Sequence, residues 1–173
     1  NNHCSYVCLD MESDDKWDII QNYGFDFAWM IGLVLEGSGE TYPLTVEGEQ
    51  VGEWNYLSLA GGNASYNPST KTLTLNGVNS TYTGNFIESD VDDLTIELAG
   101  ENEGNQIAGS IVLNKNTSIA GAGGQSLQIN CAGDGILFQR SLLFKAMGAR
   151  VLINAGGTGL KGTGTGYCEL NGV

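Results

Sequence analysis

Leu127-Gln128-Ile129-Asn130-Cys131-Ala132-Gly133-Asp134-Gly135-Ile136 is echoed further along the chain by Val151-Leu152-Ile153-Asn154-Ala155-Gly156-Gly157-Thr158-Gly159-Leu160. Each stretch opens on an apolar, any, apolar triplet closed by asparagine, the period-two pattern of a half-buried strand, and then runs into a glycine-rich corner. Outward from this pair the triplet recurs at Leu73-Thr74-Leu75-Asn76, at Leu94-Thr95-Ile96 with Glu97 in the asparagine position, at Ile111-Val112-Leu113-Asn114 and at Cys168-Glu169-Leu170-Asn171. The fourth positions therefore fall at 76, 97, 114, 130, 154 and 171. Self-similarity at a mean period of roughly 19 residues predicts stacked strands and corners, one coil per triplet. The expected fold is all-β: a single-stranded right-handed β-helix of about six coils with a small N-terminal cap.

The chain has 173 residues, enough for a solenoid with a cap and too few for two full globular domains. Twenty acidic against seven basic residues give a net charge of −13, which repels nucleic acid backbones and anionic membrane surfaces. The most apolar run, Phe25 to Leu35, contains Asp26 and is shorter than the roughly 20 residues needed to span a bilayer, so no membrane insertion is expected. Glycine is abundant (26) and proline rare (2), which excludes collagen-like and proline-rich disordered chains. The chain starts on Asn1 without a signal-peptide pattern, and reads as one that begins either after processing or at an artificial boundary. Surface positions rich in Asn, Thr, Ser and Gly with little lysine point to an extracellular or cell-surface setting.

Residues 1–40 are expected to form the cap, with a short helix near Ser13 to Ile20 and with Trp17 and Trp29 in core or cap packing; residues 41–173 are expected to form one β-helix unit. Tyr42 to Val46 and Glu49 to Val51 read as paired strands around Gly48, and Asn67-Pro68-Ser69 as the turn into the first coil. After Asn171 no distinct C-terminal cap is visible, so the expectation is either a fragment whose solenoid once continued or a partner covering the end, end-to-end stacking at the C-terminal coil among the options.

The run Leu44-Thr45-Val46, then Tyr66 to Asn76, and later Leu94 to Asn102 resembles the right-handed β-helix repeat domains of secreted and cell-surface proteins of gut bacteria, some of them labelled carbohydrate-binding. The resemblance spans about the last three quarters of the chain. It implies the fold far more than an activity, and it brings no defined binding residue with it.

Individual residues give weaker signals. Asn76, Asn114, Asn130, Asn154 and Asn171 are expected to form one side-chain amide ladder, weakened at Glu97. Cys168 sits in the first apolar position of its triplet and is expected to be a small buried hydrophobe, too far from Cys131 for a disulfide; Cys4 and Cys8 are close enough in sequence to pair. Among the acidic loops, Asp90, Asp92 and Asp93 are the ones that would take calcium, although neither an EF-hand nor a nonapeptide calcium repeat is present. Otherwise no cofactor is expected. Of the aromatic residues, Trp54, Tyr56 and Tyr82 are the expected platform for stacking on sugar rings.

Catalysis finds little support in this pattern. Glu97 facing Glu88 or Asp90 from a neighbouring coil would meet the separation of glycosidase carboxyls, about 5 to 10 Å. Polyuronate-cleaving β-helices resemble one another in long grooves lined with basic residues, whereas here Arg140, Lys145, Arg150 and Lys161 are confined to the last coils. His3, the sole histidine, has no nucleophile partner that the sequence supports. A threonine face of the ice-binding kind fails after Thr74 and Thr95. The expected function is therefore a non-enzymatic binding or adhesion module for glycans on a host or bacterial surface. The alternatives are a truncated or degenerate polysaccharide-degrading enzyme, and a structural stalk of a larger surface protein.

Overall fold

The computed structural model describes residues 39–100, 104–146 and 148–171. The chain separates into two units, Asn1–Gly37 and Ser38–Val173. The second unit is a β-solenoid; the expected helix near Ser13, the apolar run from Phe25, His3, Trp17, Trp29, Cys4 and Cys8 lie outside the described residues.

Sixteen strands build it: β1 (Thr41–Val46), β2 (Glu49–Gly52), β3 (Ala64–Asn67), β4 (Thr72–Asn76), β5 (Asn79–Ser80), β6 (Asn85–Ser89), β7 (Leu94–Ala99), β8 (Asn105–Ile107), β9 (Ser110–Leu113), β10 (Thr117–Gly121), β11 (Ser126–Cys131), β12 (Ile136–Phe138), β13 (Leu142–Ala146), β14 (Arg150–Ala155), β15 (Leu160–Gly162) and β16 (Cys168–Leu170). They assemble into three sheets. The first runs β2-β1-β6-β9-β12-β15, the second β3-β4-β7-β10-β13-β16 and the third β5-β8-β11-β14. Each coil contributes one strand to each sheet, and pairing between successive coils is parallel throughout.

There are thus about four coils, not six. The column Leu73, Ile96, Ile119, Phe144, Leu170 marks one position in each successive coil. Its spacing gives a coil of roughly 24 residues, within the range of solenoid repeats. A coil has three strands, and the six triplets fall on different faces: Leu73, Leu94 and Cys168 start triplets in the second sheet, Ile111 in the first, Leu127 and Val151 in the third. The short steps from Glu97 to Asn114 and from Asn114 to Asn130 therefore pass from one face to another and count only part of a coil. The longer echo between Leu127 and Val151 is a true coil, with Asn130 directly beside Asn154.

Inward-pointing residues stack into aliphatic columns, because parallel in-register strands place the same pleat position one above another. Ile87, Ile111 and Ile136 form one column and Ile107 with Ile129 another, each member at 0 or 1% exposure. At the amino end the core is covered by antiparallel additions: β2 on β1 and β3 on β4, with a 3-10 turn at Ala60–Gly62. Leu44, Val51, Leu59 and Tyr66 are buried there.

The asparagines do not form one ladder, since their triplets belong to different sheets. Asn154 donates to Asn130 at 2.8 Å, and Gln139 donates to Asn114 at 2.8 Å. A third ladder joins Asp92, Asn116 and Ser141 in consecutive coils: Asn116 Nδ2 donates to Asp92 Oδ1 at 3.1 Å, and Ser141 Oγ to Asn116 Oδ1 at 2.6 Å. Asn171 donates locally to Glu169. Cys168 does continue the core column of Leu94, Thr117 and Leu142, yet it is exposed, because no described strand lies beyond β16. Cys131 is buried, and both thiols are free.

Candidate functional site

A cleft of about 510 Å³ lies at the amino end of the solenoid, where the first two sheets meet. Two antiparallel hairpins and one corner make it. Tyr42 and Pro43 come from β1, Tyr66 from β3, Pro68 to Lys71 from the turn between β3 and β4, and Asp90 to Asp92 from the corner between β6 and β7.

Local sequence explains each wall. Asn67 accepts hydrogen bonds from the amides of Ser69 and Thr70 at 3.0 and 3.3 Å, the self-bonding that makes asparagine before proline a turn former. Lys71 closes that turn with φ +52°, and Asp93 closes the acidic corner with φ +60°. The two turns are then tied together: Lys71 Nζ donates to the Asp92 carbonyl at 3.0 Å, and the Thr95 amide to the Lys71 carbonyl at 2.9 Å. The Asp90 amide donates to the Pro43 carbonyl at 2.9 Å and fixes the corner against β1.

Tyr42 and Tyr66 meet across this wall with ring centroids 5.3 Å apart and planes tilted by 58°. Tyr66 is buried and Tyr42 half-buried. Burial raises the pKa of both phenols above the ordinary tyrosine value; for Tyr42 the carboxylates of Glu53 and Glu40 add to the effect, and for Tyr66 Tyr42 does. Both phenols are protonated at neutral pH. The cleft combines an aromatic ring, an ammonium and carboxylates.

Trp54, Tyr56 and Tyr82 do not form one platform. Trp54 is 54% exposed in the turn after β2, its ring lying over Gly52 and Gly39. Tyr82 is 38% exposed in the corner between β5 and β6, its hydroxyl over Gly48, where a β-carbon would come within 2.6 Å. Gly48 and Gly52 lie at the two ends of an extended stretch about 13 Å long, so the two rings flank opposite ends of β2. Tyr56 is half-buried and packs on the core.

Asp90 and Asp92 line the cleft, but no group of three or more His, Cys, Asp or Glu side chains among the described residues is placed to hold a metal ion. One oxygen of Asp92 is already engaged by Asn116. Glu88 lies on β6 in the first sheet and Glu97 on β7 in the second, so these carboxylates do not share a face. The late basic residues are likewise dispersed, with Lys145 on β13, Arg150 on β14 and Lys161 on β15, one per sheet. Lys161 is paired with Asp134 at 2.6 Å, and Arg140 donates to Thr165 at 3.3 Å.

The sequence does not single out the Tyr42–Tyr66 pair, since nothing in it shows that the two rings meet. Their shared signal is a tyrosine beside a proline-bearing strand end, Tyr42-Pro43 and Tyr66-Asn67-Pro68. No helix among the described residues is long and apolar enough to cross a membrane. Comparison with family models, with curated proteins and with solved structures yields no match.

Proposed function

We propose that this chain is a non-enzymatic, extracellular or cell-surface binding module for glycans, and that a sugar unit occupies the cleft at the amino end. One observation carries the reading: the half-buried Tyr42 lines one open cleft together with Lys71, Asp90 and Asp92. A pyranose offers an apolar C–H face to an aromatic ring and hydroxyls to carboxylates and ammonium, so this mixture fits a sugar better than an apolar ligand. The likeness in sequence to β-helix domains of secreted gut-bacterial proteins, some labelled carbohydrate-binding, points the same way.

The test is a glycan-array screen of the 173-residue chain beside Tyr42→Ala and Asp90→Asn. Binding to a defined set of glycans that drops about tenfold or more in either variant is the expected result. Silence across the array, or binding that neither variant changes, overturns the proposal. Silence would favour the stalk reading.

A further inference from the structure

The cleft at the amino end is short of positive charge. Glu40, Asp90 and Asp92 line it against a single cation, Lys71, so three carboxylates and one ammonium leave it at net −2. All four residues are exposed. The Lys71 ammonium is turned to a backbone group, since its Nζ donates to the Asp92 carbonyl at 3.0 Å. Among the described residues the one ion pair joins Lys161 to Asp134, so no described cation is paired with Glu40, Asp90 or Asp92. Asp92 Oδ1 accepts from Asn116 at 3.1 Å, which leaves its second oxygen for a ligand.

The charges next to the cleft do not correct this balance. Asp93 follows Asp92 on the same corner and is exposed. Burial, then the carboxylates of Glu53 and Glu40, raise the Tyr42 pKa, so both acids stand near that phenol. Lys115 occupies the corner of the next coil beside Asn116, but it lies outside the lining and pairs with no carboxylate. Counting all of these, Glu40, Glu53, Asp90, Asp92 and Asp93 face Lys71 and Lys115, five acids to two bases. The apolar part of the lining is Tyr42 with Pro43 and Pro68.

We propose, resting on the glycan reading of this cleft, that its ligand is a sugar carrying a free, unacetylated amine. The pyranose packs its C–H face on Tyr42, and its ammonium is taken by the Asp90 and Asp92 carboxylates in charge-assisted hydrogen bonds. An N-acetylated sugar offers the same ring without the cation and forfeits those bonds. A uronic acid brings a further carboxylate into a site already at net −2 and is repelled. Because the carboxylates are exposed, added salt screens the attraction and lowers the preference for the amine.

Isothermal titration of the full chain with three probes of equal length tests this: glucosamine oligomers, N-acetylglucosamine oligomers and galacturonic acid oligomers. At about pH 6 an amine of ordinary pKa is protonated. The expected result is that the glucosamine oligomer binds about tenfold more tightly than its acetylated counterpart, that the acidic oligomer binds weakest, and that high salt narrows the gap. Asp90→Asn and Asp92→Asn each shrink that preference. Glu97→Gln removes a carboxylate from β7, outside the cleft lining, and leaves it unchanged. Equal affinity for the amino and acetylated oligomers, tighter binding of the acidic one, or an equal loss in Glu97→Gln overturns this inference while the glycan reading stands. No binding of any probe, together with a silent glycan array, overturns both.

Discussion

Replacing Asn105 by leucine tests what holds neighbouring coils in register. Asn105 opens β8 at 0% exposure, in the column continued by Leu127 and Val151, so an apolar residue would suit the packing. Its carboxamide instead binds three coils together. Oδ1 accepts from the Val78 amide in the coil before at 3.0 Å, and Nδ2 donates to the carbonyls of Ala99 in its own coil and Ser126 in the next, both at 3.2 Å. Losing three such bonds costs about 3 kcal/mol, and leaving the buried amide and carbonyls unmatched raises that to about 5 kcal/mol. Leucine returns about 2 kcal/mol through apolar burial. The net expectation for Asn105→Leu is a loss of about 3 kcal/mol. Urea unfolding followed by circular dichroism measures it, with an unchanged m-value expected if the coils still unfold together. A leucine variant as stable as the parent would refute the reasoning and show that column packing alone sets the register.

The glycine corners and the Asp134 ion pair yield the remaining expectations. A β-carbon at Gly109 would run into the Gly84 carbonyl of the preceding coil and lie 2.8 Å from the Tyr82 carbonyl, so Gly109→Ala should cost about 1–3 kcal/mol in the same urea assay. Gly77→Ala meets no atom within 4 Å and strains only its φ of +69°, for which about 1 kcal/mol is expected. At Asp134, the hydrogen bond from Lys161, followed by that from the Thr158 amide, holds the carboxyl below the usual carboxylate range. A depressed native pKa gives stability that is present above the unfolded value of about 3.9 and lost as pH falls through the native one. The stability difference between parent and Asp134→Asn should therefore be flat near neutrality and shrink below about pH 4, as thermal melts across that range will report.

The strand character of the chain is plain in its triplets, because Leu, Ile and Val at alternate positions have no other use in so glycine-rich a sequence. The coil length is not: the triplets Ile136-Leu137-Phe138 and Leu142-Leu143-Phe144 lack the closing asparagine, and elsewhere the inward residues are polar. Ser80 in β5, Asn105 in β8 and Thr117 in β10 are buried, and each removes an apolar member from a strand that a triplet search would otherwise find. With those strands invisible, strands from three faces merge into one apparent repeat. The site is hidden by a different cause. Tyr42 and Tyr66 are remote in sequence and meet only because β1 and β3 run antiparallel to the solenoid strands at its edge, a register that no periodicity records. Trp54 and Tyr82 are both exposed, but exposure says nothing about whether two rings share a surface.

The unequal ends also set an order for how the molecule comes apart. Each coil is held chiefly by its two neighbours, and the terminal coil at the open end has one neighbour only. Unwinding should therefore begin at β16 and travel backwards, like a zipper whose stop lies at the β1–β3 hairpins. In native-state hydrogen exchange of the 173-residue chain, amide protection should rise coil by coil from Leu170 towards Ile96.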